Sequence, residues 1–215
     1  MPLSKKPRPP LGPETVYGYD ALSRQTSVTD PLGNATSYGY DAASNRISMT
    51  DANSVTTRYE YDGLVRLRAV VENYVDSGGS DGQTNVRTEY TYDAAGNRTA
   101  IRDANGHVTS FDYDAVNRLV QETDPLGHAT HYAYDAAGNR TELMDANGFT
   151  TAFEFDKANR LTFIDYPEFD ADVTFSYDSA GNRLSMEDGT GQTIWEYDAL
   201  NRPTSITSGM GETVG

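Results

Sequence analysis

Apolar and polar residues alternate along this chain with the period of a β-strand, and the alternating segments recur at a nearly constant interval. Each segment ends in an aromatic residue followed by Asp, as in residues 132–140, which read YAYDAAGNR. This aromatic–Asp pair occurs nine times, and most copies are 21 residues apart. An interval of this size is typical of repeat proteins. The pattern therefore predicts a repetitive β architecture.

Aromatic residues occupy two positions of each repeat, the residue before the Asp (the anchor) and the residue two places earlier. Thr usually lies four places before the anchor, so the three positions share one strand face. Of the 23 aromatic residues, 18 lie at these two positions. We predict that they form the structural core of the array: Tyr17, Tyr19, Tyr38, Tyr40, Tyr59, Tyr61, Tyr90, Tyr92, Phe111, Tyr113, Tyr132, Tyr134, Phe153, Phe155, Phe175, Tyr177, Trp195 and Tyr197.

A second strand follows each anchor after a short segment rich in Asp, Ala, Gly and Asn, which is typical of a hairpin turn. Nine residues after the anchor comes a position that is apolar in eight of nine repeats and Glu122 in the other. We expect this position to face the aromatic residues. Turns such as residues 30–33 (DPLG) and 145–148 (DANG) then lead into the next repeat. The fold class is therefore all-β: a repetitive antiparallel ribbon of nine hairpins, about 18 strands, which curls because large open sheets do not stay flat.

Successive repeats alternate in the fifth residue after the anchor. It is Arg in the repeats of Tyr19, Tyr61, Tyr113, Phe155 and Tyr197, and Asn in the four between them. We call these Arg-type and Asn-type hairpins. In Asn-type hairpins an Arg follows one place later. We expect a true repeat of about 42 residues, a pair of hairpins with two different turn geometries.

Three segments depart from the regular array. Residues 1–13 contain five Pro and three basic residues and are predicted to be a proline-rich linker. The array occupies residues 14–215, with an insertion at about 73–86 that we expect outside the sheet. The array stops in mid-repeat at Gly215, which predicts self-association through exposed edge strands.

The net charge of −15 arises largely from Asp and Glu at the turns. Such a chain lacks the clustered Lys and Arg that nucleic acid and anionic membranes attract, so neither is expected as a partner. There is no cysteine, no signal peptide and no segment long enough to cross a bilayer. A secreted or cell-surface location is then expected only as part of a larger polypeptide.

No catalytic, cofactor-binding or metal-binding residues are predicted. The carboxylates are turn residues, and nothing distinguishes one pair from the next as a catalytic dyad. His128 and His131 fall on opposite faces of a strand, so together with His107 they make a poor metal site. We therefore expect no enzymatic activity.

Residues 127–140 (GHATHYAYDAAGNR) best represent a pattern that resembles the YD repeats of the Rhs family. That family includes bacterial polymorphic toxins, the C component of insecticidal Tc toxins and the teneurin ectodomains. The resemblance covers about residues 14–207. It implies β-ribbons that spiral into a hollow shell, which in the bacterial toxins encloses a toxic C-terminal domain. The family's Asp-Pro-x-Gly-Leu cleavage signal is not matched, since Asn34 and His128 follow the two DPLG turns.

The resemblance implies a non-enzymatic structural segment of a secreted toxin. Its partners would be the remainder of the shell and the enclosed toxin domain. The alternative is a cell-surface module that recognises a glycan or protein, as the teneurin resemblance allows. Exposed aromatic residues on the outer face would favour that alternative, because sugars stack on aromatic rings.

Overall fold

The computed structural model describes residues 14–76, 82–167, 171–209 and 213–214, grouped in two compact units that meet in sequence between Val108 and Thr109. The predicted linker at residues 1–13 and the centre of the insertion, residues 77–81, lie outside the described residues. The described residues form strands and turns, and they include no helix long and apolar enough to cross a membrane.

The first unit contains eight strands, each antiparallel to its neighbour in sequence. They are β1 (Val16–Tyr19), β2 (Gln25–Thr29), β3 (Ala35–Tyr40), β4 (Arg46–Thr50), β5 (Thr56–Tyr61), β6 (Leu67–Glu72), β7 (Val86–Tyr92) and β8 (Arg98–Arg102).

The strands of the second unit are also antiparallel to their neighbours in sequence. The second unit begins at Thr109, the second residue of β9. Its strands are β9 (Val108–Tyr113), β10 (Leu119–Thr123), β11 (Ala129–Tyr134), β12 (Arg140–Met144), β13 (Thr150–Phe155), β14 (Leu161–Asp165), β15 (Val173–Tyr177), β16 (Arg183–Asp188), β17 (Gly191–Tyr197), β18 (Pro203–Thr207) and β19 (Thr213–Val214). The predicted all-β array of nine antiparallel hairpins is confirmed, with β19 as a short further strand.

Fourteen turns share one backbone geometry, which residues 30–34 illustrate. The Asp30 N–H donates to the Asn34 carbonyl at 2.9 Å, and the Gly33 N–H donates to the Asp30 carbonyl at 3.0 Å. Asp30 Oδ1 accepts the N–H groups of Leu32 and Asn34, both at 2.8 Å. The side chain thus satisfies two backbone donors of its own turn, which is why Asp begins every one of these turns. They start at Asp20, Asp30, Asp41, Asp51, Asp62, Asp93, Asp103, Asp114, Asp124, Asp135, Asp145, Asp156, Asp178 and Asp198.

The expectation of two turn geometries is wrong. Turns of Arg-type and Asn-type hairpins have the same hydrogen bonds, and so do the turns between hairpins. The third residue after the Asp has a positive φ in all fourteen. Seven turns have Gly there, but Val65 occupies the position at φ 63°, a strained conformation for a β-branched side chain. Arg-type and Asn-type hairpins therefore differ in their side chains and not in their turn conformation, because the Asp carboxylate fixes the turn backbone in both.

A β-bulge distinguishes the anchor end of each hairpin from the other end. Tyr19 pairs with Gln25 and Gly18 pairs with Ser27, so Thr26 is an extra residue on the second strand. The same register shift occurs at all nine anchors. Pairing is regular beside the turns that begin at Asp30, Asp51, Asp124 and Asp145. A bulge re-aims the side chains next to it and increases local twist.

Candidate functional site

The candidate site is the repeated face that carries the aromatic residues. The predicted register is present: Tyr59 lies opposite Val70, and Val70 lies opposite Thr88 on the next strand. The residue nine places after the anchor, apolar in eight hairpins and Glu122 in the other, lies opposite the aromatic residue two places before the anchor in every hairpin. Within each unit the predicted aromatic residues thus lie on one face, which we call the aromatic face; together the two units carry all 18.

The aromatic face is not a fully buried core. Sixteen of the 18 residues are half-buried, while Tyr17 and Tyr19 are 54% and 60% exposed. Among the described residues the buried apolar side chains are Ala69 and Val71, at 0% and 5% exposure, and both lie on the opposite face. The strands of each unit contact their sequence neighbours within one layer. A second layer that would cover the rings is therefore missing from the described residues of either unit.

Arginine crosses from each Arg-type hairpin to the Asn-type hairpin that follows it. Arg118 Nε donates to Oδ2 of Asp114 in its own turn at 2.7 Å, and Nη1 donates to the Asp135 carbonyl of the next turn at 2.9 Å. The guanidinium also lies 4.7 Å from the ring centroid of Tyr134. One side chain thus joins two turns and one ring. The same contacts recur for Arg24 with Asp41 and Tyr40, Arg66 with Asp93 and Tyr92, and Arg160 with Asp178 and Tyr177.

Tyrosine hydroxyls add a second link between neighbouring hairpins. Tyr40, Tyr92 and Tyr177 each donate to a backbone carbonyl at the start of the preceding second strand, at 2.8 Å. Tyr61 and Tyr197 make equivalent bonds of 3.0 Å. The rings of Tyr40, Tyr92 and Tyr177 are thereby held by the backbone at the hydroxyl and by an arginine at the ring face.

Asparagine makes the contact from two of the Asn-type hairpins to the next Arg-type hairpin. Asn139 Nδ2 donates to Asp135 Oδ2 at 2.8 Å and to Oδ1 of Asn159 at 3.0 Å. Asn182 repeats this with Asn201 at 2.9 Å. The acceptors belong to the residues with positive φ in the Arg-type turns. This second junction is therefore a bond between two neutral amides.

Asp114 and Asp135 are turn carboxylates with pKa values lowered by contacts within their own turns. The backbone N–H of Arg118 is the main cause for Asp114, followed among the lowering effects by its guanidinium. The side-chain amide of Asn139 is the main cause of the lowered pKa of Asp135. Both carboxylates accept several hydrogen bonds in their ionised form, which stabilises that form. None of this sets one turn apart as a catalytic group.

A second set of arginines, at the start of the second strands of Asn-type hairpins, lies on the aromatic face. Arg46 is 5.6 Å from the Tyr38 centroid and 5.0 Å from that of Tyr59. Arg140 lies over Tyr132 and Phe153 at 5.7 and 5.4 Å, and Arg183 lies over Phe175 and Trp195 at 4.9 and 5.7 Å. Each guanidinium is thus held between rings of adjacent hairpins.

The opposite face carries an ion-pair cluster that sequence reasoning missed. Arg87 donates to both oxygens of Glu60 at 2.9 Å and to Glu89 at 2.8 Å, while Arg68 donates to Glu60 at 2.7 Å. Arg87, with a smaller contribution from Arg68, lowers the pKa of Glu60 to about 2. Opposite charges at alternating positions of β5, β6 and β7 were the signal that could have predicted it.

The described part of the insertion contacts this opposite face. The Tyr74 N–H donates to the Thr56 carbonyl at 2.7 Å, and the Tyr74 hydroxyl accepts from Arg58 at 2.6 Å. Val71, nearby on β6, is one of the two buried side chains. The insertion begins by packing on the sheet and is more than an added external loop.

The histidines lie where turn chemistry places them. Nδ1 of His107 and of His128 lies 2.9 Å from Oδ2 of Asp103 and Asp124, where other turns have Asn or Arg. His131 is within β11. Within the described ranges, no group of three or more His, Asp or Glu side chains could hold a metal ion. Glu122, the exception among the apolar positions, lies on the aromatic face opposite Phe111 and Thr130.

Seven segments of the sequence match the RHS repeat family: residues 8–35, 19–54, 40–80, 75–108, 113–148, 134–168 and 177–213. These matches cover most of the chain. The protein belongs to the RHS repeat family, as the resemblance of its YD repeats implied. No curated protein matches the sequence at a significant level.

Several solved structures have a similar fold. The crystal structures of TcdB2-TccC3-TEV and of TcdB2-TccC3 without the hypervariable C-terminal region are both 17% identical, with TM-scores of 0.58 and 0.59. The Photorhabdus luminescens Tc holotoxin pore with a mutated TccC3 is 15% identical, with a TM-score of 0.50. Each match covers 90% of this chain but 13–15% of the other chain. At these identities the likeness defines the fold.

Proposed function

We propose that this chain is a non-enzymatic wall segment of a secreted Rhs-type toxin, part of a β-shell that encloses a cargo domain. One observation carries the proposal: each hairpin is joined to the next by side chains as well as by strand pairing, in a pattern that repeats every second hairpin. Such a lattice extends a single layer without needing a second one. Its similarity in fold to TccC3-containing toxin structures supports the same role.

The chain itself would contribute rigidity and no catalysis. Each Asp at a hairpin turn is occupied by its own backbone N–H groups and by the Arg or Asn side chain four residues later. A general acid or base needs an environment that separates its pKa from that of its partner. These turns are near copies of one another, so none offers such an environment. The location would be extracellular, as part of a larger polypeptide.

Protease protection tests the proposal. The full-length polypeptide encoded by the gene is compared with a form in which Arg24, Arg66, Arg118 and Arg160 are all Gln. We expect a protected fragment outside this array in the parent and its rapid digestion in the variant. Equal digestion in the two forms, or cleavage of the cargo at the rate of the isolated cargo, would refute enclosure.

The binding-module alternative has weaker support. Sugar recognition needs ring faces open to solvent. Arginines cover rings at both aromatic positions of the repeat: the anchors Tyr134 and Tyr177, and Tyr132 two places before an anchor. Binding of neutral glycans to the isolated chain, with loss on replacement of Tyr132, would favour this alternative over the wall.

A further inference from the structure

Two classes of arginine lie on the aromatic face, and they differ in what their N–H groups bind. Arg118 donates to a carboxylate and to a carbonyl. Arg46, Arg140 and Arg183 have ring contacts. Within the part of the chain that the structure describes, the guanidinium groups of these three make no hydrogen bond and no ion pair, although Glu122 lies on the same face near Tyr132. All three are exposed.

Contact with the aromatic rings holds each of these guanidinium groups in place, and the N–H donors at its edges stay available for a ligand. A guanidinium has five N–H donors in its plane, while ring contact uses only its faces. Arg140 lies between Tyr132 and Phe153, so its side chain is already ordered before any ligand binds. A planar, ordered fork of donors matches a carboxylate in bidentate geometry. Ordering in advance lowers the entropic cost of such binding.

The guanidinium groups indicate a polypeptide with a few separated carboxylates as the ligand, against a net charge of −15 that opposes every polyanion. The chain has a net charge of −15, so a nucleic acid, with its dense phosphates, would be repelled over most of the surface. Isolated carboxylates can pair locally with single arginines. Between Arg140 on β12 and Arg183 on β16 the aromatic face presents half-buried Phe153, Ile164 and Phe175. The ligand therefore needs apolar residues between its acidic ones.

The strand spacing indicates how far apart the acidic residues should be. Arg140 and Arg183 are four strands apart, which is about 19 Å at 4.8 Å per strand. An extended peptide covers that distance in about six residues at 3.3 Å each. A polypeptide crossing the strands would thus present an acidic residue to each arginine when the two are about six positions apart.

We propose that the aromatic face of the second unit is a docking surface for an extended acidic polypeptide, with the guanidinium groups of Arg140 and Arg183 as its carboxylate receptors. The inference stands apart from the wall role, because it concerns binding by this chain alone. A wall without such binding, and such binding without enclosure, are both possible experimental results.

Fluorescence anisotropy of labelled peptides tests the proposal on the full chain at low salt. The probe is a twelve-residue peptide with two Glu six positions apart and apolar residues between them. Its controls replace both Glu by Gln or by Lys. We expect the Glu peptide to bind at least tenfold more tightly than either control. The Lys control is stringent, since a chain of net charge −15 attracts cations non-specifically. Preference for the Lys peptide, or equal binding of all three, would overturn the proposal.

Variants locate the binding on the arginines. Replacing Arg140 and Arg183 together by Gln should weaken binding of the Glu peptide at least tenfold. Lys157→Gln removes one exposed positive charge in a turn and should change binding less than twofold. If the Gln variant is misfolded by circular dichroism, the Lys variant at both positions keeps the charge but lacks the planar fork, and should still lose at least threefold. Undiminished binding in a folded variant, or tighter binding of an oligonucleotide than of the Glu peptide, contradicts the proposal.

Discussion

The two junctions between hairpins use the same turn backbone but different side-chain chemistry. From an Arg-type to an Asn-type hairpin, Arg118 spans two turns with charged hydrogen bonds and a ring contact. From an Asn-type to an Arg-type hairpin, Asn139 makes one neutral amide bond to Asn159, and Arg140 contacts the Phe153 ring without a charged hydrogen bond. Hydrogen bonds to charged groups contribute about twice as much as neutral ones. The array is therefore a chain of hairpin pairs, each tied strongly within the pair and more weakly to the next.

The alternation also determines which residue occupies the position of positive φ. Asn-type turns have Gly96, Gly138 and Gly181 there, with Ser44 in the fourth. In Arg-type turns the same position supplies Asn159 and Asn201, the acceptors of the amide bond. Asn tolerates a positive φ and also offers a carbonyl oxygen, which Gly lacks. Val65 occupies this position without either property.

Acid should have the largest effect, because both junctions depend on turn carboxylates. The pKa values of Asp114 and Asp135 are lowered on folding, so their stabilising contribution is complete above the unfolded pKa near 4. It is lost as the pH falls through the lower folded values. Urea midpoints should be constant from pH 8 to 5.5 and decrease below pH 4. A midpoint that rises on acidification would contradict this assignment.

Removing each junction compares them directly. Arg118→Ala should cost about 2–3 kcal/mol, through the charged bond to the Asp135 carbonyl and the contact with Tyr134. Asn139→Ala should cost about 1 kcal/mol. Urea unfolding at pH 7 measures both. Since protonation of the turn carboxylates weakens both junctions, the gap between the variants should narrow at pH 3. Equal losses at pH 7 would remove the distinction between strong and weak junctions.

Val65 offers a way to strengthen a weak junction. Val65→Gly removes the strain of a β-branched residue at positive φ, and Val65→Asn also provides an acceptor for Asn45 of the preceding turn. We expect gains of about 0.5 and 1–1.5 kcal/mol respectively, measured by urea midpoints. The matched control is Val116→Asn, in a turn position without positive φ, which should have almost no effect. A larger gain from Gly than from Asn would show that no amide bond forms.

The smallest effect should come from two tyrosine hydroxyls. Tyr177 donates to the Leu161 carbonyl at 2.8 Å, whereas Tyr134 has no hydroxyl acceptor among the described residues. Both rings are stacked by an arginine at 4.7 Å, which makes them a matched pair. Tyr177→Phe should cost about 1 kcal/mol and Tyr134→Phe less than about 0.3 kcal/mol. Similar losses at both sites would mean that the hydroxyl bond to Leu161 adds no stability to the junction at Tyr177.

Strand faces and turn positions could be predicted because they depend on neighbours in sequence. Alternation put Tyr59 opposite Val70, and Asp62 begins a turn whose N–H groups it accepts within four residues. The prediction of two turn geometries was wrong because it relied on the residue four places after the Asp, which is Arg in some hairpins and Asn in others. That residue changes the contacts to the next hairpin and leaves its own turn backbone unchanged.

By itself the sequence determined the repeat, the register and the aromatic face, because these arise from strand periodicity and from short-range bonds of Asp to its own turn. The tertiary structure alone decided which arginines are paired: Arg118 reaches Asp135, 17 residues away, while Arg140 finds only rings. It also decided that burial centres on Ala69 and Val71, on the face that the insertion contacts. Both outcomes depend on side chains from distant segments meeting in space, and no local pattern encodes that.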